Sequence, residues 1–320
     1  MANLLYESAW EHFYSLVIDL IIFFIKSIYF IAESIFLTFL PSKLRKLKDV
    51  AGQTVLITGG GGGVGRHLAL NFARLKSRVV IWDVNAEAIK GTVEALLAEG
   101  YTCHSYEVDI ANKERVYEAA KRVRDEVGKV DILINNAGIV TCRTLLELPD
   151  KAIENTYNVN ILSHYWMAKA FLPDMIAQNK GHIVTVSSVT GLLGTYACTD
   201  YAATKFACVG FHESLFTELK THGHDNVNLT LVCPYHIATN MFQGVRPRLI
   251  PCLEPKYVAD SIVKAVQRNE VTCILPDSVR LVVPFKNILP AKMCWEMMHR
   301  VMKTPESMML FKTRGRAVAG

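Results

Sequence analysis

The chain has 320 residues, of which 51% are hydrophobic, with a net charge of +5 and eight cysteines. That length and apolar content fit one large domain with an appendage. The mild charge, without basic patches interleaved with aromatics, excludes a nucleic-acid partner. Scattered cysteines with no CxxC pair argue against a zinc site or disulfide scaffold, so no metal is expected and the thiols belong in a reducing compartment.

The first predicted element is an apolar helix. From Phe13 to Leu40 the sequence FYSLVIDLIIFFIKSIYFIAESIFLTFL is broken only by Asp19, Lys26 and Glu33, spaced seven apart, with His12 one step earlier. A seven-residue step returns nearly to the same helix face, so these side chains form one narrow stripe. Such a helix reaches roughly 42 Å, longer than the roughly 30 Å hydrocarbon core of a bilayer. The stretch is too long for a secretory signal and has no basic segment before it. Membrane association is expected, and the stripe suits an in-plane helix as well as a spanning one. Lys43, Arg45, Lys46 and Lys48 follow, whereas Glu7 and Glu11 precede. That asymmetry places everything downstream on the cytosolic side. Residues 1–49 therefore read as anchor and basic linker.

From residue 53 short β-branched runs alternate with amphipathic helices. QTVLIT, RVVIW, TCHSYEV, DILIN, HIVTVS, VNLTLV and EVTCIL are seven strand candidates. Helices are expected near 64–76 and 86–99 between the first three. Strands alternating with helices imply an α/β fold with a parallel sheet covered on both faces, over residues 50–275. Residues 276–320 form an apolar, proline-broken extension that suits bilayer docking, a homodimer interface or a pocket lid equally.

The first strand–helix junction reads TGGGGGVG over residues 58–65, with Gly59, Gly63 and Gly65 in a TGxxxGxG pattern. Small residues let the backbone approach a pyrophosphate, and the following helix N-terminus supplies N–H groups and a positive dipole end. Asp83 ends the second strand, 20 residues after Gly63, where a carboxylate accepts bonds from the adenosine ribose. A 2′-phosphate would meet that charge, and Gly62 offers no basic side chain to offset it. NAD is expected over NADP.

Farther on, Tyr201 and Lys205 lie four apart in YAATK, on one face of a helix. A phenol titrates near about 10, and a neighbouring ammonium favours the phenolate, so Lys205 is expected to make Tyr201 a usable acid/base at neutral pH.

TGGGGGVG, the NNAG of Asn135 to Gly138, Asn160, the serine pair and YAATK together resemble the short-chain dehydrogenase/reductase family, in order and spacing, over roughly residues 50–275. The resemblance implies a Rossmann-type doubly wound sheet. It makes Tyr201 the general acid/base and Lys205 the residue that binds the nicotinamide ribose and lowers the tyrosine's pKa. Ser188 becomes the hydroxyl that holds the substrate oxygen, and Asn160 organises a proton-relay water. It also implies that Thr58, Gly59, Gly63, Val64, Gly65, Asp83, Asp109, Asn136, Ala137, Gly138, Pro234, Ile237 and Thr239 contact NAD, together with Tyr201 and Lys205. One departure stands out: the segment at Pro234 usually begins Pro-Gly, but here Tyr235 follows, which puts the loop's conformation in question.

Within the family, the anchor, FARLKSRVVIWDVN, TLVCPYHIATNMF and LEPKY resemble membrane-bound retinol dehydrogenases of the epidermal type and lipid-droplet 17β-hydroxysteroid dehydrogenases. A lipophilic alcohol, retinoid or steroid, is the implied substrate, and the endoplasmic reticulum membrane or a lipid-droplet surface the implied location. Met241, Phe242, Leu249 and Ile250 read as apolar pocket walls or as core. A non-catalytic lipid-surface protein that kept the fold is a third possibility. It would have no need of Asn160, Ser188, Tyr201 and Lys205 together.

Overall fold

The computed structural model describes residues 9–39 and 47–311. Glu7, Lys43, Arg45 and Lys46, which carry much of the charge asymmetry, lie outside the described residues. The chain falls into two compact units, 1–47 and 48–320. The extension after residue 275 falls in the second unit.

The first unit is α1 (Ala9–Phe39). Its segment Trp10–Glu33 has mean hydropathy 2.2, and none of it is buried. The helix is thus long and apolar enough to cross a membrane, and among the described residues of its unit nothing buries that segment.

The second unit is a seven-stranded parallel sheet in the order β3-β2-β1-β4-β5-β6-β7. Its strands are β1 (Thr54–Thr58), β2 (Arg78–Asp83), β3 (Cys103–Glu107), β4 (Ile132–Asn135), β5 (Gly181–Val186), β6 (Val227–Pro234) and β7 (Thr272–Leu275). Seven strand candidates in the sequence become seven strands. Alternation of side chains along each strand sorts them between two cores. Val55, Ile57, Val79, Ile81, Ile132 and Ile134 face α2 (Gly63–Arg74), α3 (Ala86–Ala98) and α8 (Pro255–Arg268) through Leu68, Phe72, Leu96, Ile262 and Val266. Leu56, Val80, Trp82 and Leu133 face the other way, onto α4 (Lys113–Glu126), α6 (Ser163–Ala177) and α7 (Thr199–Thr221) through Val123, Met167, Phe171 and Leu219. Burying both faces explains why the strands read as near-continuous apolar runs.

Between β4 and α6 lie α5 (Asp150–Tyr157) and a π-helical turn, Asn158–Leu162. Past β7 come four short helices: α9 (Val279–Val282), α10 (Phe285–Ile288), α11 (Ala291–Glu296) and α12 (Thr304–Met309).

The unit begins at the N-terminal end of the sheet. The Lys48 N–H donates to Gln267 O at 2.7 Å, and Lys48 Nζ lies 2.8 Å from His182 Nδ1. His182 Nε2 is 2.8 Å from Thr230 Oγ1, whose hydroxyl donates to Glu270 O at 2.6 Å. Burial holds His182 well below the usual histidine range. The neutral ring therefore accepts from Lys48 at Nδ1 and donates from Nε2. Burial and the like charge of Lys180 press Lys48 itself down to about 8.

Candidate active site

The strand order reverses between β1 and β4, and a parallel sheet opens a crevice there beyond its carboxyl ends. The glycine turn at the end of β1 forms one side. Gly59 (φ 66°) and Gly63 (φ 51°) adopt left-handed backbone that favours glycine. A Cβ on Gly65 would fall 2.0 Å from Gly59 O, and one on Gly59 would meet Ala137 Cα at 2.9 Å. At the N-cap of α2, Gly62 leaves the first turn without a side-chain cap. Those N–H groups are therefore open to an anion at the positive end of the helix dipole. The turn fits a dinucleotide pyrophosphate.

The rest of the crevice is tied to this turn. Thr58 Oγ1 accepts from the Asn136 and Ala137 N–H groups (3.0 and 3.1 Å), and Asn136 Nδ2 donates to Thr58 O at 2.9 Å. At the end of β2, Asp83 accepts from the Gly61 N–H through Oδ2 (2.9 Å) and from the Asn85 N–H through Oδ1 (3.0 Å). These bonds fix the carboxylate beside the turn and leave each oxygen a further lone pair. Val64 is buried at the start of α2. Thr239 sits opposite: its Cγ2 lies 3.5 Å from where a Cβ on Gly63 would stand, and Ile237 pairs with Leu253. Asp109 accepts from the Ala111 N–H at 2.9 Å and lines a cavity of about 340 Å³ with Asn158, Leu162 and Trp166.

The residues predicted to be catalytic converge from the end of β5, α7 and the π turn. Gly138 is within van der Waals reach of both Asn160 and Lys205: a Cβ on it would lie 3.4 Å from Asn160 Oδ1 and 3.5 Å from Lys205 Nζ. Asn160 Oδ1 accepts from the Ile139 N–H (2.8 Å), and its Nδ2 donates to Ile139 O (2.9 Å) and Thr204 Oγ1 (3.2 Å). Its side chain thus locks the β4 loop to α7, in a π turn of the kind that often marks functional sites. Ser188 Oγ accepts from the Thr190 N–H at 3.1 Å and lies 3.3 Å from Pro234 O, to which it donates. Lys205 Nζ donates to Val186 O at 2.9 Å and stands 5.6 Å from the centroid of the Tyr201 ring.

Burial raises the Tyr201 phenol above its ordinary value; the Ser188 hydroxyl pulls it back without reversing the shift. Lys205, fully buried, is itself lowered by desolvation. Sharing a helix face brings the pair together, and the ammonium is turned to the Val186 carbonyl.

The apolar surroundings differ from those expected. Tyr201, Cys142, Cys198, Val245 and Met308 form one buried cluster, with Val140, Phe242 and Phe311 packed against it. Of the four anticipated pocket walls only Phe242 reaches it, edge-on to Tyr201 at 6.0 Å between centroids. Leu249 is exposed, and Ile250 packs with Val279 and Leu231 instead. Tyr235, standing where glycine is usual, has no left-handed backbone. Its N–H donates to Leu275 O at 2.7 Å, and its ring packs with Val189 and Val279. The loop therefore does not require glycine.

Several site residues had escaped notice. Thr204 donates to Tyr201 O (2.7 Å) and Ser187 to Lys205 O (2.8 Å). Thr204 was findable, being three residues after Tyr201 on the same face, and Ser187 is the other member of the serine pair. The Cys142 and Cys198 sulfurs lie 3.6 Å apart as free thiols, and no local pattern announced them.

The family described as short chain dehydrogenase matches residues 53–249. Epidermal retinol dehydrogenase 2 of Homo sapiens is 44% identical over 277 residues, covering 85% of this chain and 89% of its own. Estradiol 17-beta-dehydrogenase 11 of Mus musculus is 38% identical over 284 residues, covering 89% and 94%. Among solved structures, a short chain dehydrogenase/reductase from Burkholderia phymatum in complex with NAD superposes with a TM-score of 0.69 at 26% identity, over 75% of this chain and 94% of that one.

Proposed function

The chain belongs to the short-chain dehydrogenase/reductase family, and from that premise we propose that it is an NAD-dependent dehydrogenase of lipophilic alcohols, with all-trans-retinol to all-trans-retinal as the leading reaction. The observation that carries the reading is a buried tyrosine with Ser188 beside it, walled by apolar side chains, at the crevice that the glycine turn and Asp83 prepare for NAD. Bound NAD supplies the hydride acceptor for the carbinol carbon. Tyr201 takes the hydroxyl proton, and Ser188, oriented by Thr190 and Pro234, holds the oxygen from which it leaves. Lys205 contributes positive charge behind the ring, and Asn160 holds the loop over it. Burial raises the phenol, and the positive charge of bound nicotinamide would add to that of Lys205 in favouring the phenolate.

The same chemistry on a 17β-hydroxysteroid is the second reading, favoured by the relative named for estradiol. Membrane fractions containing the protein, offered retinol, steroid and fatty alcohols with NAD, should form NADH fastest with retinol. No NADH from any alcohol would refute the dehydrogenase reading, and a steroid preference would favour the second. Cofactor choice has its own check. Asp83→Ala removes the carboxylate that a 2′-phosphate would oppose, and should narrow the NAD advantage in kcat/KM at least tenfold, about 1.4 kcal/mol. A wild type more efficient with NADP would contradict this assignment.

The anchor completes the proposal. α1 holds the enzyme to the endoplasmic reticulum membrane or a lipid-droplet surface, beside a reservoir of water-insoluble alcohols, with the second unit in the cytosol. In sealed microsomes protease should digest that unit without detergent, and deletion of residues 1–40 should release it from the pellet. Digestion only after detergent would place it in the lumen, and undiminished sedimentation would shift anchoring elsewhere.

A further inference from the structure

Helices α9 to α12 are short; at their start Val279 and Val283 pack with Leu231 and Ile274, and Arg280 Nη2 donates to Thr272 O at 2.9 Å. Lys286 Nζ donates to Leu192 O at 2.8 Å and lies 4.6 Å from the Phe206 ring centroid. Arg248 Nη1 donates to Arg300 O and Val301 O, at 3.1 and 3.2 Å. Met308 on α12 lies in the Tyr201 cluster, with Phe311 packed against it. Most large apolar side chains of the segment, Leu281, Ile288, Trp295 and Met309 among them, stand exposed. Beyond Val279 at its start, Met308 is the only apolar side chain that residues 279–311 bury, at 3% exposure.

Tyr201 is 5% exposed, and its neighbours Cys142, Cys198 and Val245 are at most 7% exposed. With these side chains around the ring, the apolar body of a substrate lies beside Tyr201 only when a neighbour gives way. Cys198 caps α7, the helix that carries Tyr201, so its displacement would move the base itself. Cys142 sits against Cys198. Phe242 is held edge-on between Tyr201 and His236, the latter at 5.3 Å, and its loop also carries Val245. Met308 instead arrives on a six-residue helix entered through Lys303 in left-handed backbone (φ 49°). An unbranched thioether with three rotatable bonds is also the most adaptable filler an apolar site has.

We propose that Met308 fills the subsite in which the apolar body of the alcohol lies, and that the side chain at 308 sets how bulky an alcohol reaches Tyr201. The proposal rests on the dehydrogenase reading for its ligand class. A lipophilic alcohol replaces the apolar contacts that Met308 gives up, so its entry is compensated; a short alcohol replaces few of them. Arg248 acts as a positioning residue, because its two carbonyl bonds hold the segment that delivers α12.

The test measures dissociation constants of all-trans-retinol and 1-hexanol for the NAD-bound full-length protein in detergent, with melting temperatures to report folding. Met308→Ala should shift the retinol-to-hexanol affinity ratio at least fivefold toward retinol, and Met308→Trp at least tenfold toward hexanol. Arg248→Gln should raise the retinol association rate at least threefold, since α12 then leaves more readily. Ratios within twofold of the wild type in well-folded Met308 variants would overturn the proposal. Should the tryptophan variant fail to fold, the alanine variant decides alone. A wild type that binds retinol without forming NADH from any alcohol would refute the dehydrogenase reading, and the same affinity ratios would still decide the role of Met308. Failure of the wild type to bind either alcohol would overturn both.

Discussion

Tyr201→Phe is expected to lower kcat for alcohol oxidation by about 10²–10⁴-fold, the usual span for loss of a positioned proton acceptor. The ring keeps its edge contact with Phe242 and its place among Cys142, Cys198 and Met308, so the fold should persist and NAD should bind with near wild-type affinity. The pH profile sharpens the expectation. Burial holds the phenol above its ordinary value, and the form that accepts a proton is the deprotonated one. Wild-type kcat should therefore climb as pH rises toward the phenol's value in the NAD complex, whereas the variant should lose that slope. A variant within threefold of wild type, with the slope intact, would remove Tyr201 from the mechanism.

Gly65→Ala should abolish NAD binding, raising its dissociation constant by about two orders of magnitude or more. The added Cβ falls 2.0 Å from Gly59 O, a rigid backbone atom, so the turn and the first turn of α2 must separate. Overpacking of this kind usually costs about 1–3 kcal/mol of stability as well, and a lower melting temperature should accompany the lost affinity. Gly210→Ala is the control. Gly210 is exposed inside α7 with nothing within 4 Å of the added Cβ, and alanine there should stabilise the helix by up to about 1 kcal/mol. NAD titration and melting curves on the two variants decide. Retained affinity in Gly65→Ala would show that the turn tolerates what its geometry forbids.

Those two residues also mark what a linear reading can reach. The glycine turn was legible because its requirement is local: a strand, a left-handed glycine and a helix N-terminus within eight residues. The sheet was legible for a similar reason, since Val55 to Ile57 and Ile132 to Ile134 must be apolar on both faces whatever the partners. The pairing of Tyr201 with Lys205 followed from helix geometry, but the burial that raises the phenol did not. Spacing tells which groups meet; how much water they lose depends on side chains from distant segments. Met308 lies 107 residues beyond Tyr201, and no local pattern can foretell that α12 packs into the Tyr201 cluster. Tyr235 misled for the opposite reason: it breaks a family pattern at a position whose backbone makes no demand for glycine.

The bonds that join Lys48 to Gln267, His182 and, through Thr230, Glu270 fasten the incoming chain to the starts of β5 and β6 and to the α8–β7 connection. Ser188, the glycine turn and Tyr201 lie beyond the opposite ends of the strands. Mechanically, the chain is moored at the stern. A pull arriving through residue 47 loads the His182 end of β5 and is shared across parallel ladders to β4 and β6 before it reaches the Ser188 end. A load entering at Lys48 is thus spread over neighbouring strands at the end of the sheet away from the crevice.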